Sequence, residues 1–139
     1  MSESTIDTTE GSSSKSEHPP IEILVKTTYI QEQSRPTNNR YVYAYTITIK
    51  NCGEQSSQLI SRHWIIRDAR NKIQEVRGDG VVGEQPTLKP GIDYTYTSGA
   101  ILETQTGTME GSYQMKAENG DIYEAAIPIF ALVPPHAIH

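Results

Sequence analysis

A single cysteine, Cys52, stands among 139 residues, so no internal disulfide framework is available and the chain suits a reducing compartment. No apolar run approaches the roughly 18 to 20 residues of a membrane-spanning helix, which argues against membrane insertion. The opening residues, MSESTIDTTEGSSSKSEH, lack the apolar stretch of a secretory signal. Cations are scarce as well: 12 Lys and Arg face 17 Asp and Glu, a net charge of -5. That balance does not provide the clustered positive charge that displaces counterions from nucleic acid, so neither DNA nor RNA is an expected partner. These shortages point to a cytoplasmic protein, long enough to bury a core as one domain.

What is present falls into two parts. Residues 1–20 are rich in Ser, Thr and Glu and end in His18-Pro19-Pro20, with only Met1 and Ile6 able to join a core. They read as a disordered N-terminal tail. Glu3, Asp7, Glu10 and Glu17 against Lys15 give that tail -3 of the -5, leaving -2 for residues 21–139. The acidity therefore sits mostly in the tail and implies no acidic binding face.

From Ile21 the pattern turns to period two. Ile21, Ile23 and Val25 alternate with Glu22, Leu24 and Lys26, predicting a first strand. Tyr41 to Lys50 is dense in β-branched and aromatic residues, and Leu59 to Arg67 and Lys72 to Val76 follow as strands. Pro90-Gly91 fits a type II turn. Ile92 to Tyr96, Ser112 to Ala117 and Ile122 to Ala131 are further strands. Asn119-Gly120 predicts a type I′ hairpin turn, because both residues tolerate positive φ. No helical period persists for three turns. The pattern predicts an all-β fold, an immunoglobulin-like β-sandwich of about seven antiparallel strands, with an open barrel of OB type as the competing architecture. Trp64 falls where such sandwiches place a core tryptophan. Tyr113 falls where they place a tyrosine corner, with Met115 in the position of a cysteine.

One loop invites a functional reading. Gly78-Asp79-Gly80-Val81-Val82-Gly83 matches G-x-G-x-x-G, the turn that presents helix N-terminal amides to a pyrophosphate in dinucleotide folds. Here β-branched Val81 and Val82 and the nearby Pro86 leave no helix to follow, so a dinucleotide site is not expected. Two other uses remain. Arg62, Arg67, Arg70, Lys72 and Arg77, opposed by Asp68 and Glu75, make a local charge of +3 that could draw a phosphate-containing ligand to the turn amides. Alternatively Val81 and Val82, with Glu84 and Gln85, are presented at a loop tip to a protein partner. Fully burying one valine there is worth roughly 1.5 kcal/mol or more.

Catalysis and metal binding find little support in the pattern. There is no G-x-S-x-G elbow, and nothing brings Cys52 to His63, the one histidine inside the strands. His136 and His139 could hold a transition ion loosely, but two ligands do not close a tetrahedral site. Asp79 and Glu84 are conceivable partners for magnesium. The expectation is a non-enzyme without cofactor or dedicated metal.

Several segments together carry a resemblance: Arg62-His63-Trp64-Ile65-Ile66, Val76 through Pro86, Pro90-Gly91, Tyr96-Thr97-Ser98-Gly99, Gly107 through Met115, and Ile127-Pro128-Ile129-Phe130. In order and spacing they closely resemble the bacterial ApaG family from about residue 21 onward. Asp79 stands where the family more often has Glu. The resemblance implies a fibronectin type III-like sandwich and an association with cobalt resistance and magnesium efflux. It also implies a gene neighbourhood beside a diadenosine tetraphosphate hydrolase. Related domains in eukaryotic F-box and polymerase-interacting proteins look like protein-interaction modules. The combined expectation is a binding module with an unidentified protein partner at Gly78–Gln85, Arg62 and Arg77. The alternative is a sensor of a phosphate ligand or divalent cation at Gly78–Gly83. Oligomeric state stays open.

Overall fold

A computed structural model describes residues 20–135 of the chain. The tail expected over residues 1–20, Pro20 apart, and the His136/His139 pair lie outside the described residues. Eight strands follow in order: β1 Ile21–Tyr29, β2 Tyr41–Asn51, β3 Ser57–Asp68, β4 Ile73–Asp79, β5 Thr87–Leu88, β6 Asp93–Leu102, β7 Gly107–Ala117 and β8 Ile122–Leu132. Two short 3-10 turns, Gln31–Gln33 and Pro36–Asn38, fill the break after β1. One sheet runs β1-β2-β6. The other runs β4-β3-β7-β8, with β5 pairing to the start of β3. All pairings are antiparallel. The two sheets face each other as the predicted sandwich, with the short β5 bringing the count to eight.

The alternation that predicts the strands also fills the space between the sheets. Tyr43, Tyr45, Ile47 and Ile49 of β2 face Leu59, Trp64 and Ile66 of β3 and Met109, Tyr113 and Met115 of β7 in one core. Trp64 sits among Tyr45, Phe130 and Tyr113, at ring-centroid distances of 5.3, 5.9 and 6.4 Å and edge-on to each. Edge-to-face geometry is the favoured one for aromatic quadrupoles. The indole Nε1 is buried with no hydrogen-bond partner, a cost of about 1–3 kcal/mol. Burying the indole's apolar area, on the order of 200 Å², stabilises by about 5 kcal/mol and outweighs it.

Four local expectations need correction or extension. Tyr113 makes no corner with its own backbone: its hydroxyl meets that of Tyr96 at 2.5 Å and so ties β7 to β6 across the sandwich. Burial, foremost, raises both tyrosine pKa values, so both stay protonated. At Asn119-Gly120 only Gly120 has positive φ (95°). Gly120 N–H donates to Ala117 O and Ala117 N–H to Asp121 O, closing a three-residue loop instead of a type I′ turn. β6 continues past Tyr96 to Leu102, and β7 starts at Gly107 and not Ser112, its glycines lying where β3 comes too close for a side chain. A Cβ on Gly107 would lie 2.6 Å from Arg67 O, and one on Gly111 would lie 2.0 Å from His63 O. The Pro90-Gly91 turn forms as expected, with Gly91 at φ 79° and Ile92 N–H bonded to Lys89 O.

Candidate functional site

The glycine loop is built on an irregularity in its neighbour. The pairing of β3 with β7 shifts register between Leu59 and Ser61, so Ile60 bulges out of the ladder. Its carbonyl then accepts two bonds from the loop, Gly80 N–H at 2.8 Å and Gln85 Nε2 at 2.9 Å. Gln58 Nε2 donates to Gln85 O from the same strand. Beyond Gly80 the chain reverses in a hairpin: Val81 N–H bonds Glu84 O and Glu84 N–H bonds Val81 O. Val82 and Gly83 are its two central residues, at φ 42° and 83°. Positive φ at both central positions is the type I′ arrangement. Gly80 is required where it stands, since a Cβ there would lie 2.2 Å from Glu84 O.

This geometry separates the two valines. Val81 is fully buried in the sandwich core and offers no surface to a partner, contrary to the expected presentation of both. Val82 is 55% exposed at the tip. It is also a β-branched residue in the left-handed region, a genuine conformational outlier.

Arg62 also departs from expectation. It shares the inward parity of Trp64 on β3 and pairs with Gly78 on β4. A Cβ on Gly78 would come within 2.8 Å of Arg62 Nη1, so the glycine leaves the space in which the guanidinium lies. Nη1 donates to Asp79 O at 3.1 Å and Gly80 O at 3.0 Å. Arg62 is therefore a clamp on the loop backbone. The other cations do not gather at the loop: Arg77 is paired with Glu75 and Lys72 with Glu103. Arg67 and Arg70 lie at the far end of β3 and in the turn after it. Amides of Gly80, Val81 and Glu84 are committed to backbone carbonyls. Asp79 and Glu84 are exposed, and among the described residues no group of three His, Cys, Asp or Glu side chains is placed to hold a metal ion.

Beside the hairpin, the outer face of the larger sheet forms a polar groove of about 360 Å³, lined by Ser61, His63, Arg77, Asp79, Gln114 and Glu124 among others. Strand register assembles it: Ser61 stands opposite Gln114, His63 opposite Ser112, and Gln114 opposite Glu124. Glu75 Oε2 is the hub of one side, 2.5 Å from His63 Nε2 and 3.1 Å from Arg77 Nη2. The His63 hydrogen bond, then the charge of Arg77, holds the Glu75 carboxyl below its ordinary range. On the other side Ser112 Oγ donates to Glu124 and Ser61 Oγ to Gln114. Ser112 thus points its proton at a carboxylate and not at His63, so a nucleophile–base pair is not assembled. Cys52 is exposed in the turn after β2, on the opposite sheet from His63. The groove's β7 and β8 residues went unmarked in the sequence, although Ser112 and Gln114 alternate outward on a strand whose inward positions are Tyr113 and Met115.

Two antiparallel sheets of this order, with one end carrying a clamped hairpin, define a small fibronectin type III-like sandwich. The family model described as the ApaG domain matches residues 31–117, and the chain belongs to the ApaG family. It is 58% identical over 119 residues to "Protein ApaG" of Dechloromonas aromatica, covering 86% of this chain and 94% of that one. The corresponding protein of Thiobacillus denitrificans is 57% identical over the same shares. A solved structure titled as the putative ApaA protein from Bordetella pertussis superposes with a TM-score of 0.83 at 47% identity, over 85% of this chain and 96% of that one. No helix among the described residues is long and apolar enough to cross a membrane.

Proposed function

We propose that this chain is a cytoplasmic, non-enzymatic binding module that holds a protein partner on the Val82–Gly83 turn and the adjoining outer face of β3 and β4. The observation that carries the reading is Val82. An apolar, β-branched side chain is half-exposed at the tip of a hairpin and sits in a backbone region where Gly or Asn would be easier. Backbone strain of this kind concentrates at ligand clamps and recognition sites. Arg62, Gly80 and Gln85 fix the turn to the sheet beforehand, which lowers the ordering cost of binding. The groove beside it offers Arg77, His63 and Glu124 as a polar rim.

A variant pair tests this without disturbing the core. Val82→Asn keeps the turn conformation and removes the apolar tip, while Lys89→Gln alters the same end of the sandwich without touching the turn. Partner capture from source-organism extract should fall at least about tenfold with Val82→Asn and hold with Lys89→Gln. Equal capture by wild type and Val82→Asn would sink the assignment. On this reading the cobalt and magnesium association implied by the family is indirect, exerted through the partner. The sensor of a phosphate ligand or divalent cation is the weaker reading, because the loop's guanidinium and three of its amides already bond the chain's own carbonyls.

A further inference from the structure

The sandwich has four strand edges, and three of them carry the usual defences against unwanted pairing. β1 has Glu22 and Lys26 on its exposed face and lies against β8. β8 contains Pro128, and its pairing with β7 is bulged. β4 is only seven residues long and carries Glu75 and Arg77. Charges, prolines, bulges and short length are how natural sheets blunt an edge. β6 has none of these beyond the charge of Asp93 at its first position. It pairs with β2 in unbroken register over ten residues and, among the described residues, has no strand on its other side. From Tyr94 to Leu102 it carries no charge and no proline.

The ladder fixes which groups face outward. Asn51 N–H donates to Ile92 O, and the bonds of an antiparallel pair repeat every second residue. Tyr94, Tyr96, Ser98 and Ala100 therefore turn their backbone groups to β2, while Thr95, Thr97, Gly99 and Ile101 turn theirs to the open edge. At the end of this edge, between β6 and β4, lies a cavity of about 240 Å³ with Ile66, Ile101 and Leu102 as apolar walls and Lys72, Asp68 and Glu103 at its rim. A row of outward backbone groups beside a side-chain pocket is the combination by which sheets accept an extended peptide.

We propose that β6 is a strand-addition site for an extended segment of a partner protein, one of whose apolar side chains enters the cavity beside Leu102. The segment's chemistry follows from the ends of β6. Asp93 begins β6, while Glu103 just beyond its other end is already paired with Lys72, so the complementary strand is uncharged in its middle and carries Lys or Arg at the end beside Asp93. A second copy of this chain is the poorer occupant, because its β6 carries no cation to set beside Asp93. This site is separate from the Val82 turn and stands or falls without it.

The test is selection of a phage-displayed library of random peptides, about twelve residues long, on the full-length protein. The selected peptides should alternate β-branched or aromatic residues next to a basic residue at one end and shift the amides of Thr95, Thr97, Gly99 and Ile101. Thr97→Pro removes one outward N–H and, apart from the Thr97–Thr46 hydroxyl contact, leaves the bonds to β2 in place, a substitution edge strands tolerate. It should weaken the selected peptides by about tenfold or more, and Val82→Asn should leave them unchanged. Should Thr97→Pro lose the native amide spectrum, Ile101→Lys decides, because a charge on the open edge blocks strand pairing. A library without enrichment, or peptides bound equally by the edge variants, overturns the proposal. So does sedimentation showing a dimer that Thr97→Pro dissociates, since the occupant would then be a second copy.

Discussion

Replacing Val82 by Asn should make the protein more stable while removing its proposed function, and the size of the effect can be worked from the turn. A β-branched residue held at φ 42° costs about 1–2 kcal/mol relative to one that tolerates the left-handed region. Against this, the side chain is 55% exposed, so roughly half of a valine's burial value, about 0.7 kcal/mol, is lost on substitution. The net expectation is a gain of about 0.3–1.3 kcal/mol. Gly would relieve the same strain but returns part of it through the greater freedom of the unfolded chain, so Val82→Gly should fall near or just below Val82→Asn. Urea unfolding reads the difference: the midpoint should rise with the m-value unchanged, since the turn alters little of the surface exposed on unfolding. A midpoint lowered by the equivalent of about 0.5 kcal/mol or more, at unchanged m, would refute the strain argument. It would mean that Val82 is held by packing that its exposure conceals.

Other expectations bear on different parts of the molecule. Val81→Asp should abolish folding whereas Val82→Asp should not, because only the first buries an unpaired charge; amide spectra of the two variants decide this. Gly111→Ala should cost at least about 3 kcal/mol in urea unfolding, as the new methyl meets the His63 carbonyl and the β3–β7 ladder must separate locally. The lowered Glu75 pKa stabilises the fold above the unfolded carboxylate pKa, and that contribution disappears as pH falls through the depressed folded value. His63→Ala should bring the Glu75 carboxyl titration, followed by NMR, back up toward the ordinary range; an unmoved midpoint would discount the His63 contact. Tyr43, whose hydroxyl donates to Gln105 O, is pushed up to about 12, mainly by burial and then by Tyr29 and Tyr41. Its contribution is complete below the unfolded value near 10 and is lost as pH rises toward 12. Tyr43→Phe should flatten stability across that alkaline window.

The fold was legible because its core is written in alternation. β2 reads Tyr43, Tyr45, Ile47 and Ile49 inward, and no helical period competes with it. Turn chemistry was legible where a residue type dictates it, as at Pro90-Gly91. It misled where tertiary contacts outrank propensity: the primed turn sits at Val82-Gly83, while Asn119-Gly120 makes a longer loop. Val81 and Val82 are neighbours of identical chemistry, and a sequence cannot show that one faces the core and the other solvent across a tight reversal. Counted from Leu59, Arg62 falls on the outer face, and only the bulge at Ile60 brings it to the inward parity of Trp64. The groove could not be seen at all without the register that places Ser112 and Glu124 beside His63.

That bulge has a mechanical consequence. Through Ile60 the Val82–Gly83 hairpin hangs from β3, which is laced to β4, β5 and β7 along its length. A tug on the tip is therefore delivered to the best-anchored strand of the larger sheet and not to a flexible arm. The module can bear a tether at that end without the hairpin peeling away before the sheet itself gives.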